Sequence, residues 1–152
     1  MKQLFIALAI ALTATGCNVQ TVDMAQPILV ADNFYGSLKA GDTTEAMTPY
    51  APSFKASVTS WPKFLTDLQK TYGPVTAAEL LEASLSTNND SPCYKLTYAV
   101  RRGVHATEEG LFLCSENRAS PWAIHGHSLI RSDNGSEVTA GLMPQEISTP
   151  TP

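Results

Sequence analysis

Ten basic against fourteen acidic side chains in 152 residues give a net charge of −4, and no Lys/Arg run exceeds Arg101-Arg102. A nucleic-acid footprint needs a basic stripe to neutralise phosphates, so nucleic acid is excluded as a ligand; charge-driven binding to anionic headgroups is disfavoured for the same reason. The length suits one domain with a hydrophobic core of its own.

The chain opens with Lys2 and an eleven-residue apolar stretch, Leu4–Ala14. At 1.5 Å per residue that stretch cannot cross a hydrocarbon core of ~30 Å, but it has the length of a signal-peptide core. Ala14-Thr15-Gly16-Cys17 closes it. Small residues before a cysteine let a lipoprotein peptidase approach the backbone, and the thiol then carries diacylglycerol. Residues 1–16 therefore read as a lipoprotein signal peptide and Cys17 as the lipidated N-terminus. The competing reading, an ordinary secretory signal, leaves Cys17 as a free thiol in an oxidising compartment. Ala14 stands where such motifs more usually carry Leu. Asn18, rather than Asp, follows the cysteine, which is similar to Gram-negative lipoproteins and implies the periplasmic face of the outer membrane. At ~0.8 kcal/mol per buried methylene, three acyl chains would make a permanent anchor.

Removing residues 1–16 leaves 136 residues with a net charge of −5. Residues 17–23 form the lipidated cysteine and a polar tether reaching ~20 Å at most when extended. Residues 24–131 hold the strong periodicity and are taken as the folded domain. Residues 132–152, rich in Ser, Thr, Gly, Glu and Pro, read as a flexible tail in which Val138–Met143 can add only a marginal edge strand.

Within the domain, Ile28, Ala31, Phe34, Tyr35 and Leu38 make one helical stripe, with Pro27 in the first turn and Gly41 at the stop. Asp42-Thr43-Thr44-Glu45 matches a capping box and opens a short second helix that Pro52 is expected to end. Ser60 can cap a third helix, with Pro62 near its start. Trp61, Phe64, Leu65, Leu68 and Tyr72 form its apolar face, and Gly73-Pro74 terminates it. Val75–Ser86 has helical composition, yet Leu81, Ala83 and Leu85 alternate; it is read as a strand. Cys93–Arg101 alternates cleanly, with Tyr94, Leu96, Tyr98 and Val100 on one face. Gly110–Cys114 and Trp122–Ile130 complete a predicted antiparallel sheet of about four strands, with turns at Glu116-Asn117 and Ser120-Pro121.

Setting Cys93 opposite Cys114 in a hairpin closed by Arg102-Gly103-Val104-His105 also sets Leu96 opposite Leu111 and Tyr94 opposite Leu113. Apolar faces coincide without a slip, so register and cysteine pairing agree independently, and a Cys93–Cys114 disulfide is expected on the face away from the main apolar layer. No Cys-x-x-Cys is present, which argues against a redox-active pair.

The order of helices followed by antiparallel strands resembles the NTF2-like (cystatin-like) α+β cone, in particular small bacterial lipoproteins of unknown function built on it. Ala31–Gly41 (ADNFYGSLKAG), the Trp61…Leu68…Tyr72-Gly73-Pro74 segment, Tyr94–Val100 and Trp122-Ala123-Ile124-His125-Gly126-His127 carry the likeness. His127 takes a place that relatives give to an aromatic residue. The resemblance implies a sheet curved around helices with a pocket between them, and no particular activity.

Chemistry-bearing residues are sparse. His125 and His127, two apart on a strand, share a face and have the spacing of two ligands to one metal, but no third ligand is evident; no metal and no cofactor are expected. Asp32, Tyr35, Tyr94, Tyr98 and His125 are the candidate pocket residues, although nothing in the sequence brings Asp32 to His125 or Tyr98. Glu108-Glu109 reads as a solvated turn. No nucleophile elbow, phosphate loop or His-Glu-x-x-His occurs, and no catalytic residue is assigned. The preferred expectation is a non-enzymatic lipoprotein that holds an envelope protein or a small apolar ligand at the membrane surface. Its alternatives are a pocket enzyme of isomerase or hydrolase type and an envelope immunity or exclusion factor.

Overall fold

The computed structural model describes residues 23–88, 91–115, 120–131 and 134–142. The signal peptide, Cys17, most of the tether, the Glu116-Asn117 turn and residues 143–152 lie outside them. Among the described residues four helices come first: α1 (Ala25–Lys39), α2 (Thr43–Ala46), α3 (Pro52–Ser57) and α4 (Trp61–Tyr72). Asp42 caps α2, its Oδ1 accepting the Glu45 amide at 2.9 Å, the first half of the capping box. Gly73, at φ +86°, ends α4 as expected. Ser60 makes no side-chain cap there.

Pro52 corrects the sequence reading, because it begins α3 instead of ending α2. Its missing N–H is no loss at a first helical position. The residues before it are spent on the sheet: the Ala51 amide donates to the Ile124 carbonyl and the Ile124 amide to Pro49, both at 2.9 Å. That pairing turns Tyr50 inward.

Five strands follow in simple meander order, all antiparallel: β1 (Ala77–Asn88), β2 (Ser91–Arg102), β3 (His105–Cys114), β4 (Ala123–Arg131) and β5 (Glu137–Gly141). The ambiguous Val75–Ser86 stretch is thus a strand. The molecule is α+β, with short helices on one five-stranded sheet, one strand more than expected. β5 lies within the stretch read as a tail. It pairs Ala140 with His127 and Val138 with Leu129, so ladder bonds and the burial of Ala140 compensate for a polar composition.

β2 and β3 pair in the expected register, Cys93 opposite Cys114 and Tyr98 opposite Glu109, and the disulfide is formed. Its face carries a small separate cluster of Cys93, Phe112 and Cys114. The main core lies on the other face. There α1 contributes Phe34, Tyr35 and Leu38, α4 Trp61 and Leu65, and the sheet Leu96, Val100, Leu111, Leu113 and Ile124. Burying each such side chain is worth about 1.5–3 kcal/mol before the entropy of ordering it.

Two bulges shape the sheet. One falls at Leu81 in β1, the other at His125 in β4. The second corrects the expected face of β4. Ile124 pairs with Leu113 and His127 with Leu111, leaving His125 as the extra residue. Ile124 and His127 therefore share the core face, although they are three apart. Beside the bulge, Gly141 at φ +76° passes so close that an added Cβ would collide with the His125 carbonyl oxygen and lie 2.5 Å from the Phe54 ring. Gly141→Ala is expected to cost about 2 kcal/mol or more, from strain at a positive φ together with overpacking. Chemical denaturation checks it; a loss no larger than that of an exposed Gly→Ala change would refute the close approach.

Candidate functional site

Period-two alternation that buries Leu111 and Leu113 also turns Glu109 and Thr107 toward the helices, and on β2 it turns Arg102 the same way as Val100. Glu109 is fully buried and Arg102 is 2% exposed. This corrects the expectation of a solvated Glu108-Glu109 turn: Glu108 is exposed, whereas Glu109 is the centre of a polar network inside the core.

Arg102 Nη1 donates to Glu109 Oε1 at 2.6 Å, and the Thr107 hydroxyl donates to the same oxygen at 2.9 Å. Tyr35 Oη donates to Oε2 at 3.3 Å. His127 Nε2 also lies 3.3 Å from Oε2, but outside hydrogen-bond geometry. On the far side of the imidazole, Nδ1 is 2.7 Å from Tyr50 Oη, which in turn accepts the Trp61 indole N–H at 3.1 Å. The imidazole thus stands between a phenol at Nδ1 and a carboxylate at Nε2. Phe34, Trp61 and Tyr50 rings surround the imidazole at 5.2–6.4 Å. His127 is thus a ring among rings.

Burial alone would push the Glu109 carboxyl up; contact with His127 and the Arg102 guanidinium outweigh it and hold the group down at about 2. Burial, with the Glu109 charge behind it, raises Tyr35 well above the ordinary phenol value, and burial raises Tyr50 as well. Both tyrosines are therefore neutral donors. A carboxylate whose folded pKa lies below its unfolded value stabilises the fold fully above about 4.5, and that contribution fades as pH falls toward 2. The urea midpoint is expected to be level near neutral pH and to drop across that interval. A midpoint unchanged down to the lower limit would refute the ion pair.

A cleft of about 230 Å³ opens at the β2–β3 turn, against the C-terminal end of α4. Arg102 and Thr107, which both bond Glu109, also line it, with Leu68, Tyr72, His105 and Arg131. Tyr72 is the pivot of its rim: the His105 ring meets it edge-on at 4.6 Å, and the Arg131 guanidinium lies over its face at 5.4 Å.

The candidate pocket residues are placed apart from that cleft. Tyr35 and Tyr98 are neighbours in the core, with ring centroids 4.8 Å apart. The Tyr98 hydroxyl is buried without a partner, and burial together with the Asp32 charge pushes it up to about 12. Asp32, exposed on α1, is thereby brought near Tyr98. Tyr94 packs beside Trp122. His125 sits half-buried on its bulge while His127 is enclosed, so the two histidines do not form one site. No cluster of three or more His, Cys, Asp or Glu suited to a metal occurs among the described residues.

Neither a protein-family model nor a curated protein matches this chain. Among solved structures, the chain is similar to Bdellovibrio bacteriovorus Bd1075, at 14% identity and a TM-score of 0.47. The match covers 78% of this chain and 40% of the Bdellovibrio protein, so the chain spans less than half of its length. A likeness of this degree carries no argument about activity.

Proposed function

We propose that this chain is a lipid-anchored periplasmic binding module of the NTF2-like type, which holds a small ligand or an envelope partner and has no catalytic role. The observation that carries the reading is the state of Glu109. A general acid or base works best with a pKa near ambient pH and a free lone pair or proton to offer. Glu109 is poorly suited to either role: it is held at about 2, its Oε1 accepts from both Arg102 and Thr107, and its Oε2 accepts from Tyr35. Two of those partners form the wall of a cleft, so the network stiffens a surface against which something can rest. Helices preceding an antiparallel meander support the NTF2-like assignment; His127, where relatives carry an aromatic residue, is a departure from that pattern. The Ala-Thr-Gly-Cys sequence ending at Cys17 and the following Asn18 support lipidation and the outer membrane, periplasmic face.

Two experiments test these parts. With labelled palmitate, the wild-type chain should take up label and fractionate with the outer membrane, whereas Cys17→Ala should do neither; an unlabelled wild-type chain would remove the anchor. Native mass spectrometry of the chain purified from its membrane should reveal a retained small molecule or protein, and a bare chain would remove the binding role. Turnover of a retained molecule that is lost in His127→Gln would replace the reading with an enzyme.

A further inference from the structure

We propose that the cleft at the β2–β3 turn takes a small organic oxyanion, a carboxylate or phosphate ester on a short apolar or aromatic body. The inference rests on the binding role above and names the chemistry of its ligand. Arg102 carries it. Its Nη1 is committed to Glu109 and Thr107, yet its Nε is buried with no partner. A buried donor left unpaired is costly, and native structures rarely keep one without a reason. The guanidinium is a planar fork, and the edge that bears Nε is one that carboxylates and phosphates bridge with two parallel bonds. Arg102 is one of the residues that line a cavity of about 230 Å³, so the unpaired donor belongs to a side chain on the cavity wall.

The remaining lining fits the same ligand. Glu109, whose charge would repel an anion, is neutralised by Arg102 in direct contact. Arg131, stacked on Tyr72, adds a second cation at the rim, and His105 adds a polar edge. Leu68 and the Tyr72 ring provide an apolar wall for the body. With the Arg102 charge matched by Glu109, the lining offers guanidinium N–H donors and no uncompensated carboxylate, which suits an anion that accepts hydrogen bonds.

The test uses the full chain in neutral detergent and phosphate-free, low-salt buffer, with benzoate, phenyl phosphate, inorganic phosphate and the neutral benzamide as probes. Amide resonances of Ala106 and Thr107 report on the cleft. Benzoate and phenyl phosphate are expected to shift them and to bind about tenfold more tightly than benzamide, weakening as salt rises. Tighter binding of one of the two names the oxyanion. Inorganic phosphate binding as well as phenyl phosphate would overturn the apolar body. Arg102→Lys, which keeps a charge for Glu109 but loses the fork, should weaken the anions about tenfold and leave benzamide unchanged. Should that variant fail to fold, Arg131→Gln, on the rim, should still weaken the anions several-fold. Benzamide binding as well as benzoate, with no salt dependence, would overturn the oxyanion proposal and leave the binding role standing. No cleft response to any probe, with a retained molecule mapped elsewhere on the chain, would do the same. No response together with a bare purified chain would overturn both.

Discussion

Replacing Glu109 by Leu is expected to destabilise the fold by about 3–5 kcal/mol. The loss comes less from the missing attraction than from what stays behind. Arg102, 3% exposed at its side chain, would keep its charge with no anion beside it. Thr107 and Tyr35 would lose their acceptor, at a cost of about 1–3 kcal/mol for the buried Tyr35 hydroxyl and less for the half-buried Thr107. Removing the cation together with the carboxylate, in an Arg102→Met, Glu109→Leu pair, is expected to recover most of the loss, because apolar groups of similar volume carry no desolvation penalty. Urea denaturation of both singles and the double closes the cycle. A double variant that loses the sum of its singles would mean that the two residues act independently, contrary to their 2.6 Å contact.

Deleting the disulfide, as Cys93→Ala with Cys114→Ala, is expected to cost about 3 kcal/mol. The bridge spans 21 positions in sequence, and in the chain-entropy picture closing such a loop removes that much freedom from the unfolded chain. The folded hairpin should keep its register, since Leu96 still meets Leu111 and Tyr94 still meets Leu113. Thermal melting of the wild-type chain with and without reductant, alongside the double alanine variant, checks this. Equal melting points in all three would show that the strands already hold the loop closed in the unfolded ensemble.

Local pattern made much of the fold legible. Alternation in Cys93–Arg101, the two cysteines and the apolar partners together determine the β2–β3 register residue by residue. The helices α1 and α4 follow from stripes with glycine stops. Where the reading failed, tertiary pairing overrode local signals. β5 has little to bury, and its place depends on a neighbouring strand edge that no short window of sequence shows. The bulge at His125 shifts face assignment by one residue, and alternation counted through it inverts. Pro52 is an equally good helix stop and helix start; only the bonds of Pro49 and Ala51 to β4 decide.

The candidate site shows a different failure, because its signal was present. Once Leu111 and Leu113 are placed inward, the same parity turns Glu109 and Thr107 inward, and Val100 does the same for Arg102. A charged pair of opposite sign on the buried face of one hairpin is an ion pair in the making. Composition pulled Glu108-Glu109 toward a solvated turn and hid it. Tyr50 and Trp61 were not legible as partners of His127, since an irregular segment and the start of α4 bring them there.

To a force applied at the two ends of the chain, the disulfide hides part of its own length. Everything between Cys93 and Cys114 is short-circuited by one covalent bond, so the stretch that forms the floor and turn of the cleft cannot be drawn out. At about 3.3–3.6 Å per residue, some 70 Å of contour stays folded back on itself until the bond is reduced. Under such a force the hairpin that carries Arg102 and Glu109 would be the last part to lengthen.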